Sequence, residues 1–230
     1  MKRVIQYLSF TLFAGLISCS ENVGDPSTIE DMVDDAVEQA EKAVPLQSDG
    51  LLGIVPDLAQ RNQASLDSLQ ALLTISARTL IHKFDEAQNI EQKRKISEKL
   101  RAFYSKGDSL YEDLRLKNNA HLEKECKKLA GKKLTIAVDE NFFKTVDAHI
   151  QEITLDGKVT IAYKAKTADF IRKKFYATYF DKANQPIHES YTVFVPFPIW
   201  KGATFEGTTT VPIQVLDKTH RIGFAGKSEN

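Results

Sequence analysis

The spacing of apolar residues along the chain changes character once, near residue 131. Before that point apolar positions recur every three or four residues. Ile29, Met32, Val33, Ala36, Val37, Ala40 and Val44 form one stripe, with Glu30, Asp31, Asp34, Asp35, Glu38 and Glu41 opposite. That spacing predicts an amphipathic helix. Ser27-Thr28-Ile29-Glu30 at its start has the form of a capping box. Pro45 to Pro56, with Gly50 and Gly53, reads as a connection whose Leu51, Leu52, Ile54 and Val55 plug the end of the helical layer. A second helix is predicted from about Asp57 to Ala87, with Leu58, Leu66, Leu69, Leu72, Leu73, Leu80 and Phe84 inward. A third starts at Asn89-Ile90-Glu91-Gln92 and buries Ile96, Leu100, Phe103, Tyr104, Leu110, Tyr111, Leu114, Leu122, Cys126 and Leu129. Gly107-Asp108 inside it leaves two outcomes open, a kink or a split into two helices. Three such helices bury their stripes only against one another or against the next domain, so an antiparallel bundle or hairpin is expected.

After Lys133 the period falls to two. Leu134, Ile136 and Val138 alternate with polar or small residues, and Val146, Ala148, Ile150 and then Val159, Ile161, Tyr163 repeat the pattern. Further strands are expected at Arg172 to Phe180, Pro186 to Phe197, Thr208 to Leu216 and Thr219 to Ala225. Asp156-Gly157 predicts a type I′ hairpin, with positive φ at both residues. About seven strands in a hundred residues fit an immunoglobulin-like β-sandwich. The fold class is therefore α+β: about three helices, then a β-sandwich. In domains this reads as a signal segment at 1–18, a tether at 19–26, a helical region at 27–130 and a sandwich at 131–230. Aromatic residues agree with the division: four lie in 20–130 and fourteen in 131–230.

The 31 basic and 31 acidic residues cancel, so the chain has no net electrostatic handle for nucleic acid. The residues ahead of the first helix carry the strongest signal. Lys2-Arg3 precedes an apolar run from Val4 to Ile17, too short for the roughly 20 residues of a permanent membrane span, so it reads as an export signal. Leu16-Ile17-Ser18-Cys19 at its end resembles the lipobox of bacterial lipoproteins, in which a signal peptidase cuts before a lipid-modified cysteine. The resemblance implies lipid attachment at Cys19, anchorage in the cell envelope, and, from Ser20, the outer membrane of a Gram-negative bacterium. Removal of residues 1–18 would leave 29 basic against 31 acidic side chains, a charge of −2, and Cys126 as the remaining unmodified thiol. Cys126 sits on an apolar helical stripe with no histidine close by in sequence, which reads as a buried structural thiol.

Phe175 to Ile187, with Tyr179-Phe180-Asp181 before a turn, resembles the FxLYD group of bacterial Ig-like domains over some fifteen residues. Ala177 stands where that group has its name-giving phenylalanine, and the likeness carries over no functional residues.

Catalytic and metal motifs are not found. The five histidines are scattered, and the nearest pair with an acid, His149 and Glu152, is offset by three, which in a regular strand puts them on opposite faces. No Cys/His spacing matches a zinc site, no glycine-rich phosphate loop occurs, and acids wound on a helix lack the turned loop of a calcium site. The basic clusters Lys127-Lys128, Lys132-Lys133 and Arg172-Lys173-Lys174 fit a surface for anionic lipid or polysaccharide, or, as is more common for such groups, a solvated face. The remaining candidate is Val193-Phe194-Val195-Pro196-Phe197-Pro198-Ile199-Trp200, where alternating prolines cannot donate to a sheet ladder. Phe197 and Trp200 either close one end of the sandwich or form an aromatic surface for a partner.

The expected role is non-catalytic: binding or scaffolding by a lipoprotein whose partners are the membrane, through its anchor, and an envelope protein or glycan. No cofactor and no nucleic acid are expected. Two other classes stay open on sequence grounds: an envelope enzyme or enzyme inhibitor using His149, Glu152, Asp169 and His188 at the helix–sandwich junction, or a solute-binding lipoprotein with an apolar cleft there.

Overall fold

A computed structural model describes residues 26–48, 50–171, 175–192 and 199–226. Three long helices, α1 (Pro26–Ala43), α2 (Val55–Glu86) and α3 (Ile90–Leu129), precede a mostly antiparallel β region. Its elements are β1 (Ile136–Val138), β2 (Phe143–Ile153), β3 (Lys158–Thr167), β4 (Phe175–Phe180), β5 (Pro186–Thr192), β6 (Thr204–Pro212), the short helix α4 (Ile213–Lys218) and β7 (Arg221–Gly226). The signal segment, Cys19, the lysines and arginine of 172–174, and Phe197 lie outside the described residues.

Helix ends follow local chemistry. α1 and α2 each begin with a proline in the first turn, where its missing N–H costs nothing. At α3 the Asn89 side chain accepts the Gln92 amide at 2.9 Å, and the Gln92 side chain reaches back to the Gln88 amide at 3.3 Å, which satisfies two donors that a helix start leaves over. α3 runs unbroken through Gly107, so the split into two helices is not taken. A Cβ on Gly107 would lie 3.1 Å from Leu73 Cδ2; the glycine serves the close approach of α2 to α3.

The chain divides into two compact units. Among the described residues, one takes those of 26–36 and 69–112, the other those of 37–68 and 113–226. In the helical unit Ile29, Ala77, Leu80 and Phe103 form the buried core, flanked by Met32, Leu73, Leu100 and Leu110. Lys106 reaches Glu30 at 2.8 Å across its surface.

The second unit holds the remaining helix segments and all the strands. β1-β7-β4-β5 form one sheet and β2-β3-β6 the other. Side chains of both sheets share one core: Ile150, Ile161 and Val211 from one, Ala177, Tyr179, Ile222 and Phe224 from the other. The Tyr163 and Phe224 rings meet at 5.3 Å. Leu52, Val55, Leu58, Leu122 and Cys126 join this core, so the apolar residues at the start of α2 pack with sheet residues as well as with helical ones. A polar clasp ties α2 to α3 here: Asn62 Nδ2 donates to the Asn118 carbonyl at 3.0 Å, and Asn118 Nδ2 donates to Ser65 Oγ at 2.9 Å.

Among the described residues two layers and seven strands agree with the sandwich reading, while the strand order is distinct. A constant-type immunoglobulin domain would place the first strand beside the second and the fifth beside the second and fourth. Here the chain between the helices and β1 runs along β2, with Gly131 N to Ile150 O at 2.7 Å and Leu134 N to Ala148 O at 3.0 Å. It then crosses to the other sheet, where β1 pairs with β7 in parallel, Ile136 opposite Ile222.

Three local expectations change. The β2–β3 turn has positive φ at Gly157 alone, with Gly157 N bonded to Thr154 O at 3.0 Å, so it is a three-residue loop ending in a left-handed glycine and not type I′. The predicted strand Thr208 to Leu216 stops at Pro212, which cannot continue the ladder; Ile213 and Leu216, three apart, are buried as one face of α4. A bulge between Ile150 and Glu152 shifts the parity of β2, so that His149 and Glu152 both face outward.

Candidate interaction site

Trp200 is held by a turn whose backbone is fixed on both sides. Ile171 and Ile199 exchange two backbone bonds, at 2.9 and 3.1 Å, and both side chains are buried. The chain then turns at Trp200-Lys201-Gly202-Ala203, closed by Ala203 N to Trp200 O at 3.0 Å. Gly202 has φ +80°, the left-handed value that the third residue of a type II turn requires. Thr167, fully buried at the end of β3, secures this turn. Its hydroxyl donates to the Trp200 carbonyl at 2.7 Å, its amide donates to the Ala203 carbonyl at 3.0 Å, and its carbonyl accepts the Gly202 amide at 3.2 Å.

The indole is 68% exposed, more than any other large apolar side chain of the described residues except Ile90. One face rests on Phe170, with ring centroids 4.9 Å apart and planes tilted by 49°. Phe170 is itself positioned by its amide, which donates to Asp169 Oδ1 at 2.8 Å. Of the two alternatives for Trp200, end plug or presented surface, the exposure favours the surface. The turn that orients the ring was not legible in sequence, because Thr167 lies 33 residues away. Lys201-Gly202 was its only local signal.

The other candidate residues do not come together. His149 and Glu152 lie on the outer face of β2, His188 lies on β5 with its ring 5.6 Å from Tyr179, and Asp169 lies after β3 beside Phe170. No three His, Cys, Asp or Glu side chains among the described residues group closely enough to hold a metal ion. His149 does border an outer-face groove of about 580 Å³ with Asp147, Gln151 and Thr208, across which Lys164 pairs with Glu206 at 2.8 Å. A larger cleft of about 840 Å³ has a charged rim of Lys132, Lys182, Lys218, Asp181 and Asp217. Lys132 Nζ there already donates to the Leu51 carbonyl at 2.6 Å. Lys127 and Lys128 are paired at 2.6 Å with Glu123 and Glu125. Hydrogen bonding to Lys128 holds the Glu125 carboxyl below the usual range.

Cys126 is buried in the core of its unit. Burial first, and the charges of Glu123 and Glu125 after it, push the thiol above its ordinary value. At neutral pH the group is a thiol and not the nucleophilic thiolate.

The chain matches no protein-family model, no curated protein and no solved structure. Among the described residues no helix is long and apolar enough to cross a membrane.

Proposed function

We propose that this protein is a lipid-anchored bacterial envelope lipoprotein with a non-catalytic binding or scaffolding role, in which Trp200 is the contact residue. The observation that carries the binding role is the exposed indole on a backbone turn fixed by Thr167 and braced by Phe170. A rigid aromatic side chain presents a large contact area at low entropic cost, which is why tryptophan is over-represented among residues that dominate binding energy. The anchor rests on Leu16-Ile17-Ser18-Cys19. Each buried methylene of an acyl chain contributes about 0.8 kcal/mol of membrane affinity, so two or more chains hold a protein that one would hold only marginally. Phe197, three residues before Trp200, belongs to the same proposed surface on sequence grounds.

Two measurements test the reading separately. Cells fed labelled palmitate should yield labelled wild-type protein in the membrane fraction and unlabelled Cys19→Ala; label surviving that change, or unlabelled wild type in the cytosol, would remove the anchor. Capture of envelope partners from detergent extracts should fall by on the order of thirtyfold in Trp200→Ala, the equivalent of about 2 kcal/mol for a dominant contact residue. Equal recovery by both proteins would make Trp200 structural and end the binding proposal.

A further inference from the structure

Four separate stretches of the β-containing unit meet at the cleft of about 840 Å³: the α1–α2 connection, the chain after α3, the β4–β5 turn and the end of α4. Three of them bring a lysine, Lys132 after α3, Lys182 in the turn and Lys218 at the last position of α4. All three residues are exposed, and none is ion-paired among the described residues. The outer-face groove beside His149 differs in this respect, since its Lys164 is neutralised by Glu206 at 2.8 Å.

The two acids of the same lining each commit an oxygen to the wall. Asp181 Oδ1 accepts the Gln185 amide at 2.9 Å. Asp217 Oδ1 is shielded from solvent and packs against Gly50, where a Cβ would displace it. Lys132 is fixed without being neutralised: the Leu51 carbonyl takes one of its three N–H donors at 2.6 Å and leaves two for a ligand. The composition of the wall narrows what that ligand is. Ammonium groups are compact point charges that gather around a phosphate, whereas the planar fork of arginine matches a carboxylate, and no arginine lines the cleft. Leu51 and Ile187, the latter 37% exposed, add apolar wall. The volume falls within the roughly 300–1,000 Å³ of small-molecule pockets and exceeds what a bare anion fills.

We propose that this cleft binds an organic phosphate, with Lys132, Lys182 and Lys218 around the phosphate group and Leu51 and Ile187 against the carbon skeleton. A phospholipid headgroup and a soluble sugar phosphate both carry that chemistry, and the two sources are separated by experiment. The inference uses neither the lipid anchor nor Trp200, which does not line the cleft.

Titration of the full chain in a neutral detergent tests it, with the amide resonances of Ala183 and Thr219 in the cleft wall as the readout. One arm adds glucose 6-phosphate, with glucose as its uncharged control. The other compares bicelles of phosphatidylglycerol with bicelles of phosphatidylcholine, which carries no net charge; an anchor enters both alike, so only a difference between them counts. A saturable shift with glucose 6-phosphate assigns a soluble ligand, and one with phosphatidylglycerol assigns a headgroup. Changing Lys182→Gln together with Lys218→Gln should weaken that binding on the order of tenfold, since two exposed charge contacts are lost. Lys124→Gln together with Lys144→Gln removes the same charge from exposed positions outside the cleft and should bind as wild type does. Exposed lysines tolerate such changes, and an otherwise unchanged amide spectrum shows that folding is intact. No saturable shift in either arm, equal binding by wild type and the cleft variant, or equal weakening by both lysine pairs would each overturn the site.

Discussion

Phe103 and Phe143 are both almost completely buried, at 1% and 0% exposure, yet their surroundings differ. Phe143 sits in a core drawn from two sheets and three helices, α2, α3 and α4. Phe103 shares a small core with Ile29, Ala77 and Leu80, and borders an open groove. The same residue type thus does different work. Phe143 is thus enclosed by its own chain in the β-containing unit, whereas around Phe103 in the helical unit part of the apolar stripe remains uncovered. Periodicity marks a face as apolar without saying what covers it.

The largest test of that contrast is truncation of the two rings. Phe143→Ala should cost about 3–5 kcal/mol, because a closed core leaves the cavity unfilled. Phe103→Ala should fall at or below the low end of that range, since helices beside an open groove can move inward. Urea unfolding followed by amide exchange resolves them: helical-unit amides should exchange faster in the wild type, and equal losses from both variants would erase the distinction.

Glycines sharpen it next. A Cβ on Gly223 would meet Phe180 Cε2 at 2.8 Å, and the Arg221 guanidinium lies 4.1 Å above that same ring. Gly223→Ala should therefore cost about 1–3 kcal/mol through overpacking. Gly107→Ala meets only the mobile end of Leu73, and the roughly 1 kcal/mol gain in helix propensity offsets the contact. Its unfolding midpoint should stay close to wild type.

A smaller effect comes from pH. Burial raises both the Cys126 thiol and the Tyr179 hydroxyl in the β-containing unit. Once pH passes their ordinary values, about 8.5 and about 10, the unfolded chain loses protons that the folded chain keeps. The unfolded state then binds fewer protons, so stability falls as pH rises. Cys126→Ala should flatten the first part of that decline in urea midpoints, and an unchanged slope would mean the thiol does not contribute. Least of all, Lys164→Gln should leave the midpoint where it is. The Lys164–Glu206 pair is exposed, and although each partner shifts the other's proton affinity, solvent screens the interaction.

The three helices and the two-layered β region were legible because each rests on a long run of one period. Asn89-Ile90-Glu91-Gln92 was legible too, since its start signal is local and its hydrogen bonds span only three or four residues. What could not be read depends on partners distant in sequence. The bulge at Gln151 that turns Glu152 outward is set by pairing with β3, and the α4 turn after Pro212 by burial of Ile213 and Leu216. Gly107 looked like a helix breaker because only the facing Leu73 explains it. At the candidate site the alternating prolines before Trp200 are a local signal, while the setting of its indole depends on Thr167 and Phe170.

The position of β7 between β1 and β4 has a consequence for biogenesis. Ile136 finds its partner only at Ile222, so one sheet lacks an interior strand until residues 221–226 have left the ribosome. Up to then β1 and β4 each expose an unpaired edge, and the β layer cannot close during synthesis. A chain built this way stays threadable for as long as its last strand is missing. Closure of that sheet therefore waits for the end of synthesis, in whatever compartment the chain folds.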